Sequence, residues 1–299
     1  MRDELLKFFE KNGVEYRVDV NLKERSTFRI GGICALGLFP DSVEKAALCI
    51  RELRKMEEPF FIVGRGSNIL FGDGVTERAL IFTERLRGIS REGNTVYAEA
   101  GVTLASLAAF AAKEDLCGLE FAAGIPGSVG GAVYMNAGAY GGEMSGVVSR
   151  SVAYDSARGK MLDVVDHGFG YRRSVYMDNA DLTCLAAEFS LTEGDGEQIR
   201  GRMRELAAKR REKQPLEYPS CGSYFKRPEG HFAGKLIEDA GLKGARVGGA
   251  CVSEKHAGFI VNLGGATAED VLKLEALVTE TVREKFGVTL EREVRVIPD

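Results

Sequence analysis

Residues Ala123–Gly146 read AGIPGSVGGAVYMNAGAYGGEMSG. Eight of them are glycine: Gly124, Gly127, Gly130, Gly131, Gly138, Gly141, Gly142 and Gly146. Glycine loses the most backbone entropy on ordering and packs no side chain, so this run is expected to form neither helix nor strand interior. It is not a flexible linker either. Ile125, Val129, Val133, Tyr134 and Met135 call for burial, and Pro126 stiffens the chain. The stretch reads as ordered backbone passing close to a ligand, with turn N–H groups available to an anion. The alternative is a glycine-rich structural turn in a β-rich domain.

A second loop of this kind, Gly64-Arg65-Gly66-Ser67-Asn68, follows the apolar run Pro59–Val63, which reads as a buried strand. It is not the G-x-G-x-x-G dinucleotide fingerprint, because the sixth position is Ile69. Nor is there a P-loop: Gly159-Lys160 and Gly234-Lys235 are each followed by an apolar residue. The chain thus has two phosphate-type loops and neither common nucleotide fingerprint.

The surrounding sequence is that of a mixed α+β protein. Ser42–Met56, Leu104–Lys113, Glu197–Glu212, Gly234–Ala240 and Ala268–Phe286 carry helical periodicity. Phe60–Val63, Ala79–Phe82, Val96–Ala98, Val147–Tyr154, Lys160–Val165, Leu182–Leu191 and Glu293–Ile297 read as strands. Asp155–Gly159 has hairpin chemistry, and Gln214-Pro215 ends the long charged helix.

The 299 residues suffice for two or three domains, and Lys plus Arg (40) nearly balances Asp plus Glu (44). That balance gives no footing for nucleic acid or a membrane surface, and Lys209-Arg210-Arg211 reads as the solvated face of a helix. The opening MRDELLKFFEKNG has no apolar core of a signal peptide, and no apolar run reaches the ~20 residues of a membrane span. A cytoplasmic protein is expected. The six cysteines are scattered without a C-x-x-C pair, so no metal site is expected and the thiols read as packing residues.

The two glycine loops, with GSYFKRP (Gly222–Pro228), AGKLIEDAGLKG (Ala233–Gly244), VSEKHAGFIVN (Val252–Asn262) and LEREVRVIP (Leu290–Pro298), resemble the MurB family, the UDP-N-acetylenolpyruvoylglucosamine reductases of peptidoglycan synthesis. The likeness runs from about Asn21 onward, with the motifs in the family's order. It implies a two-lobed FAD-binding fold of the vanillyl-alcohol-oxidase/PCMH type plus a C-terminal α+β substrate domain. Lobe 1 would span 1–85, joined by the returning strand 292–299. Lobe 2 would span 86–210 and the substrate domain 211–291.

The resemblance also implies roles. Arg172, in Tyr171-Arg172-Arg173-Ser174, would be the catalytic arginine; a guanidinium stays charged and can hold a carboxylate through two parallel hydrogen bonds. Ser223 would deliver a proton to carbon, which requires a neighbour that stabilises the alkoxide, and Lys213 and Lys226 are candidates. Glu293 would assist as a partly desolvated carboxyl. Read from residues alone, each has an ordinary alternative: a surface arginine, a turn serine, a solvent-facing glutamate. Gly64, Arg65, Gly66, Ser67, Asn68, Gly124, Ile125, Pro126, Gly127, Ser128, Gly130 and Gly131 would line the FAD diphosphate. Tyr171, Lys213, Lys226, Arg227 and His256 would contact the substrate, although Arg227 departs from the Asn of some members.

FAD is expected to be noncovalent, because none of the three histidines lies between Gly64 and Gly146. NADPH would be co-substrate, UDP-N-acetylglucosamine enolpyruvate the substrate and UDP-N-acetylmuramate the product, with no protein partner implied. The Arg172–Ser223 spacing is too short for the extra tyrosine-bearing loop of some members, so the chain resembles the shorter subgroup. Two other readings stay open: a different flavoenzyme of the same fold, and a non-catalytic paralogue that binds a UDP-sugar or flavin.

Overall fold

The computed structural model describes residues 2–299. The chain opens with α1 (Arg2–Lys11), β1 (Glu15–Asn21), β2 (Ile33–Phe39) and α2 (Val43–Lys55). Next come β3 (Phe60–Val63), β4 (Ile69–Phe71), β5 (Val75–Phe82), β6 (Ile89–Glu92), β7 (Thr95–Glu99) and α3 (Leu104–Lys113). After β8 (Leu116–Cys117) stand α4 (Val129–Met135) and the two-residue strands β9 (Gly138–Ala139) and β10 (Gly142–Glu143). Then follow β11 (Val148–Asp155), β12 (Lys160–Val164), α5 (Val175–Asp178), β13 (Leu182–Ser190), β14 (Thr192–Glu193) and α6 (Gly196–Lys213). The remainder is β15 (Ser220–Ser223), α7 (Ala233–Asp239), β16 (Arg246–Val247), β17 (Ala250–Val252), β18 (Phe259–Asn262), α8 (Ala268–Phe286) and β19 (Arg295–Ile297).

The sequence reading divides the chain at 85/86 and 210/211; compactness divides it otherwise. One unit gathers residues 2–18, Leu36–Arg65 and Arg78–Lys209. The other gathers Asp19–Ala35, Gly66–Glu77 and Arg210–Asp299.

Two apolar cores are described in the first unit. Around one, Leu5 and Phe9 of α1 and Ala46, Ile50 and Leu53 of α2 pack with Leu36, Leu38, Ala79 and Ile81 of a sheet ordered β1-β2-β5-β3. Ser42 caps α2 by accepting from the Lys45 N–H at 3.2 Å. Around the other, Leu104, Leu107, Ala108 and Ala111 of α3 meet Val96, Ala98, Ala153 and Phe189 of the antiparallel sheet β12-β11-β13-β7-β6. Each such leucine contributes about 1.5–3 kcal/mol by leaving water.

α4 corrects the expectation that the glycine-rich stretch holds no helix: Gly130 and Gly131 lie inside it. Packing overrides propensity here. Val129, Ala132 and Val133 are buried, and a Cβ on Gly130 would come within 2.8 Å of the Ala100 Cβ, so only glycine lets the helix lie this close.

In the second unit, α7 and α8 cover the antiparallel sheet β15-β18-β17-β16 around Ile237, Val252, Ile260, Val271, Leu274 and Val278. β19 begins at Arg295, two residues later than expected, and pairs in parallel with β4, Arg295 opposite Ile69. A parallel pair needs a long connection, and here more than half the chain supplies it. Among the described residues, no helix is long and apolar enough to cross a membrane.

Candidate functional site

Glu293 and Ser223 come together in the second unit through the backbone. The Glu293 N–H donates to the Tyr224 carbonyl at 2.9 Å, Lys226 N–H donates to Glu291 O at 2.8 Å, and Phe225 bridges Arg292. Ser223 ends β15, is exposed, and follows Gly222 at φ +78°, where the pairing with β18 shifts register. Tyr224 points the other way: it is buried, and its hydroxyl donates to Glu275 Oε2 at 2.8 Å. Glu293 is half-buried and lies just before β19.

Asn68 joins the same cluster. Its side-chain amide donates to the Glu293 carbonyl at 3.2 Å, and its own carbonyl accepts from Arg295 N–H at 2.9 Å. The 66–68 segment of the first glycine loop is therefore fixed against the Glu293 backbone. Gly66 has φ +60°, and a Cβ there would run into the Arg25 carbonyl, so glycine is required.

The remaining second-unit candidates divide. Lys226 forms an ion pair with Glu291 at 3.2 Å, so its ammonium is committed to a carboxylate rather than to Ser223. Arg227 lies over the Phe232 ring, 4.7 Å from its centroid, and Phe232 is itself 62 % exposed. His256 Nδ1 accepts from Gly258 N–H at 3.1 Å; burial holds its imidazole below the ordinary pKa. Lys213 is exposed at the last residue of α6. Cys221 is buried, donates to the Ile69 carbonyl at 3.1 Å, and is pushed up to about 12 by burial, which leaves it a packing thiol.

Arg172 sits in the first unit, in a tight turn closed by mutual Gly170–Arg173 backbone hydrogen bonds of 3.1 and 3.2 Å. Its φ is +53°, a conformation glycine favours. Its guanidinium lies over the Tyr171 ring, 5.1 Å from the centroid, and reaches the Gly138 carbonyl at 3.5 Å. Tyr171 is 54 % exposed. Two contacts missing from the sequence reading hold the turn. Asn136 Nδ2 donates to Gly170 O at 3.0 Å, and the Ser174 hydroxyl donates to Tyr134 O at 2.7 Å. Asn136, in the left-handed conformation that caps α4, also accepts from Ser145 N–H at 2.9 Å. The only sequence signal was an asparagine closing an apolar run.

The glycine loops of this unit bear on FAD. Gly64 and Arg65 leave the end of β3, and a Cβ on Gly64 would strike the Ser128 hydroxyl. That hydroxyl is buried without a hydrogen-bond partner, a state that costs about 1–3 kcal/mol unless something else satisfies it. A Cβ on Gly131 would lie in ordinary contact with the same atom, 3.7 Å away. An unpaired donor flanked by two glycines fits a phosphate oxygen, so the residues present suit a dinucleotide diphosphate. The free N–H groups expected of this stretch are partly committed, however: Val129 and Gly130 donate to the Val102 and Ala100 carbonyls, both at 2.9 Å. Gly127 O accepts from Leu104 N–H at 3.0 Å, tying the turn to the start of α3.

These features define a flavin-binding α+β protein, and the comparisons agree. The model of an FAD binding domain matches residues 35–162, and that of the UDP-N-acetylenolpyruvoylglucosamine reductase C-terminal domain matches 214–297. A UDP-N-acetylenolpyruvoylglucosamine reductase of Clostridium novyi is 47 % identical over 95 % of this chain and 92 % of its own length. One from Exiguobacterium sibiricum is 46 % identical over 92 % of this chain and 91 % of its own. The crystal structure of UDP-N-acetylenolpyruvylglucosamine reductase (MurB) from Thermus caldophilus superposes with a TM-score of 0.80 at 35 % identity, covering 95 % of this chain and 99 % of that one. The chain belongs to the UDP-N-acetylenolpyruvoylglucosamine reductase family.

Proposed function

We infer that this protein is an FAD-containing, NADPH-dependent oxidoreductase that reduces UDP-N-acetylglucosamine enolpyruvate to UDP-N-acetylmuramate in peptidoglycan synthesis. The observation that carries this reading is 47 % identity to a reductase of that name across nearly the full length of both chains. When bound, FAD supplies the hydride carrier between NADPH and the enolpyruvyl carbon.

Addition of hydride to the enolpyruvyl group leaves negative charge spreading toward the substrate carboxylate. Arg172 holds that carboxylate and stabilises the charge. Ser223, exposed at the end of β15, delivers a proton to the second carbon. Glu293 donates a hydrogen bond to the same developing charge. The Ser128 hydroxyl and the turns at 64–68 and 124–131 hold the diphosphate of the cofactor. Tyr171, Lys213, Arg227 and His256 contact the nucleotide sugar, and Lys226 does so by exchanging its Glu291 partner for the ligand. In this reading residues 1–210 with the returning strand hold the flavin, and 211–291 hold the sugar. The enzyme works in the cytoplasm, beside its nucleotide-sugar substrate.

The test is the visible spectrum of the purified protein, followed anaerobically. A flavin band that bleaches with NADPH and returns on adding the enolpyruvyl sugar is the expected result. A band that bleaches and stays bleached rejects the substrate, and absence of a band after supplying FAD rejects the flavoenzyme.

A further inference from the structure

Three buried side chains without an assigned role meet beside the Arg172 turn. Ser151 on β11 has no exposed surface, and His167 and Tyr176 are 4 % and 3 % exposed. The Ser151 hydroxyl lies 2.8 Å from His167 Nε2 and 2.6 Å from the Tyr176 hydroxyl. The His167 ring also bonds the Val165 carbonyl. A carbonyl only accepts, so the proton belongs on Nδ1 and Nε2 is the acceptor. The order of donation follows: Tyr176 to Ser151, Ser151 to His167, His167 to Val165. The Tyr176 hydroxyl also meets the buried Cys184 thiol, which extends the network to the neighbouring strand β13. Burial favours the neutral imidazole and the neutral phenol that this order needs.

Residues 167 and 176 bracket the turn. Val175 N–H donates to the His167 carbonyl at 2.7 Å and closes the neck, and the His167 ring stacks on Phe169 with centroids 4.8 Å apart. One hydroxyl, on a strand paired on both sides with β12 and β13, thus grips both ends of the loop that carries Arg172. Packing alone gives no reason for this trio. A buried polar cluster costs desolvation that apolar side chains of similar volume avoid.

We propose that Ser151, His167 and Tyr176 are positioning residues for Arg172, fixing the neck of its loop through one shared hydroxyl so that the guanidinium keeps its place on the substrate carboxylate. The proposal rests on the reductase reading and on the assignment of Arg172. A displacement of about 1 Å in such a group costs on the order of 100-fold in rate.

Ser151→Ala removes both hydrogen bonds without adding bulk. In single-turnover experiments it is expected to slow reoxidation of the reduced flavin by the enolpyruvyl sugar about 10–100-fold, while flavin reduction by NADPH stays within about twofold. Backbone amides of residues 168–175 should exchange with deuterated solvent about tenfold faster, with the rest of β11 unchanged. In an Arg172→Lys background the same substitution should change the rate less than about twofold, because no positioned guanidinium remains to be displaced. Tyr176→Phe keeps the ring and removes one bond; it repeats every measurement if the alanine variant fails to fold. An equal loss in both backgrounds overturns the proposal, as does wild-type exchange at 168–175. If the wild-type protein itself does not pass electrons to the sugar, the reductase reading fails, and the exchange data still decide whether the network holds the loop.

Discussion

At position 172 an arginine occupies backbone space that suits glycine, at φ +53°. A left-handed non-glycine residue costs about 1–2 kcal/mol, and glycine there gives back about 0.5–1 in unfolded-state entropy. Arg172→Gly is therefore expected to keep or gain up to about 1 kcal/mol of stability while losing turnover with the enolpyruvyl sugar. Urea unfolding checks it, and a loss above about 1 kcal/mol would mean that the guanidinium contacts outweigh the strain. Ser223→Ala should abolish reduction of the sugar and leave NADPH-driven flavin reduction intact; wild-type turnover in that variant would sink the serine assignment. Gly66→Ala should destabilise by about 2 kcal/mol or more, since its Cβ meets the Arg25 carbonyl in a positive-φ turn. The roles proposed for Arg172, Ser223 and Glu293 come from the short motifs that surround them. Asn136, Ser174, Ser151, His167 and Tyr176 were not legible. They are ordinary polar residues scattered along the chain, and only the fold shows that their partners are Gly170, Tyr134 and one another.

Elements were legible wherever local physics decided them. α3, α8 and β3 have the bounds that periodicity gave. At α8 the Thr267 hydroxyl accepts from Asp270 N–H at 3.0 Å, the Asp270 carboxylate accepts from Thr267 N–H at 3.1 Å, and Gly287 closes the other end at φ +68°. Asp73 adds a second cap by accepting from the Ala268 and Glu269 N–H groups at 2.8 and 3.1 Å. Thr267→Ala should cost about 1 kcal/mol in chemical denaturation, and Asp73→Ala a similar amount. A neutral result at Asp73 would mean that Thr267 and Asp270 suffice. α4 was illegible because the burial of Val129, Ala132 and Val133 depends on the close approach of Gly130 to Ala100, the turn residue after β7. No window of local sequence contains that contact.

For the molecule as a whole, two histidines contribute to the acid side of stability between pH 7 and about 5.5. Burial holds His167 and His256 below the ordinary imidazole pKa, and Lys243 adds to the effect at His256. The unfolded chain takes up these protons near pH 6.5, while the folded chain resists until lower pH. The contribution is full above about pH 6.5 and is lost as the pH falls through the folded values. The thermal midpoint should fall as the pH drops from 7 to about 5.5, and His167→Gln should flatten part of that slope. A midpoint that holds constant over this range would show that neither histidine resists protonation. The α+β class was legible from composition and pattern, and the return of strand 292–299 came with the resemblance, whereas the segmental make-up of the units and the register of Ile69 opposite Arg295 were not, because they are properties of topology rather than of spacing. That pairing has a temporal consequence. A ribosome releases β4 on the order of tens of seconds before it makes β19. Throughout that interval the nascent strand Ile69–Phe71 lacks its pairing strand and keeps an open edge, so chaperone demand should extend through translation rather than begin after release.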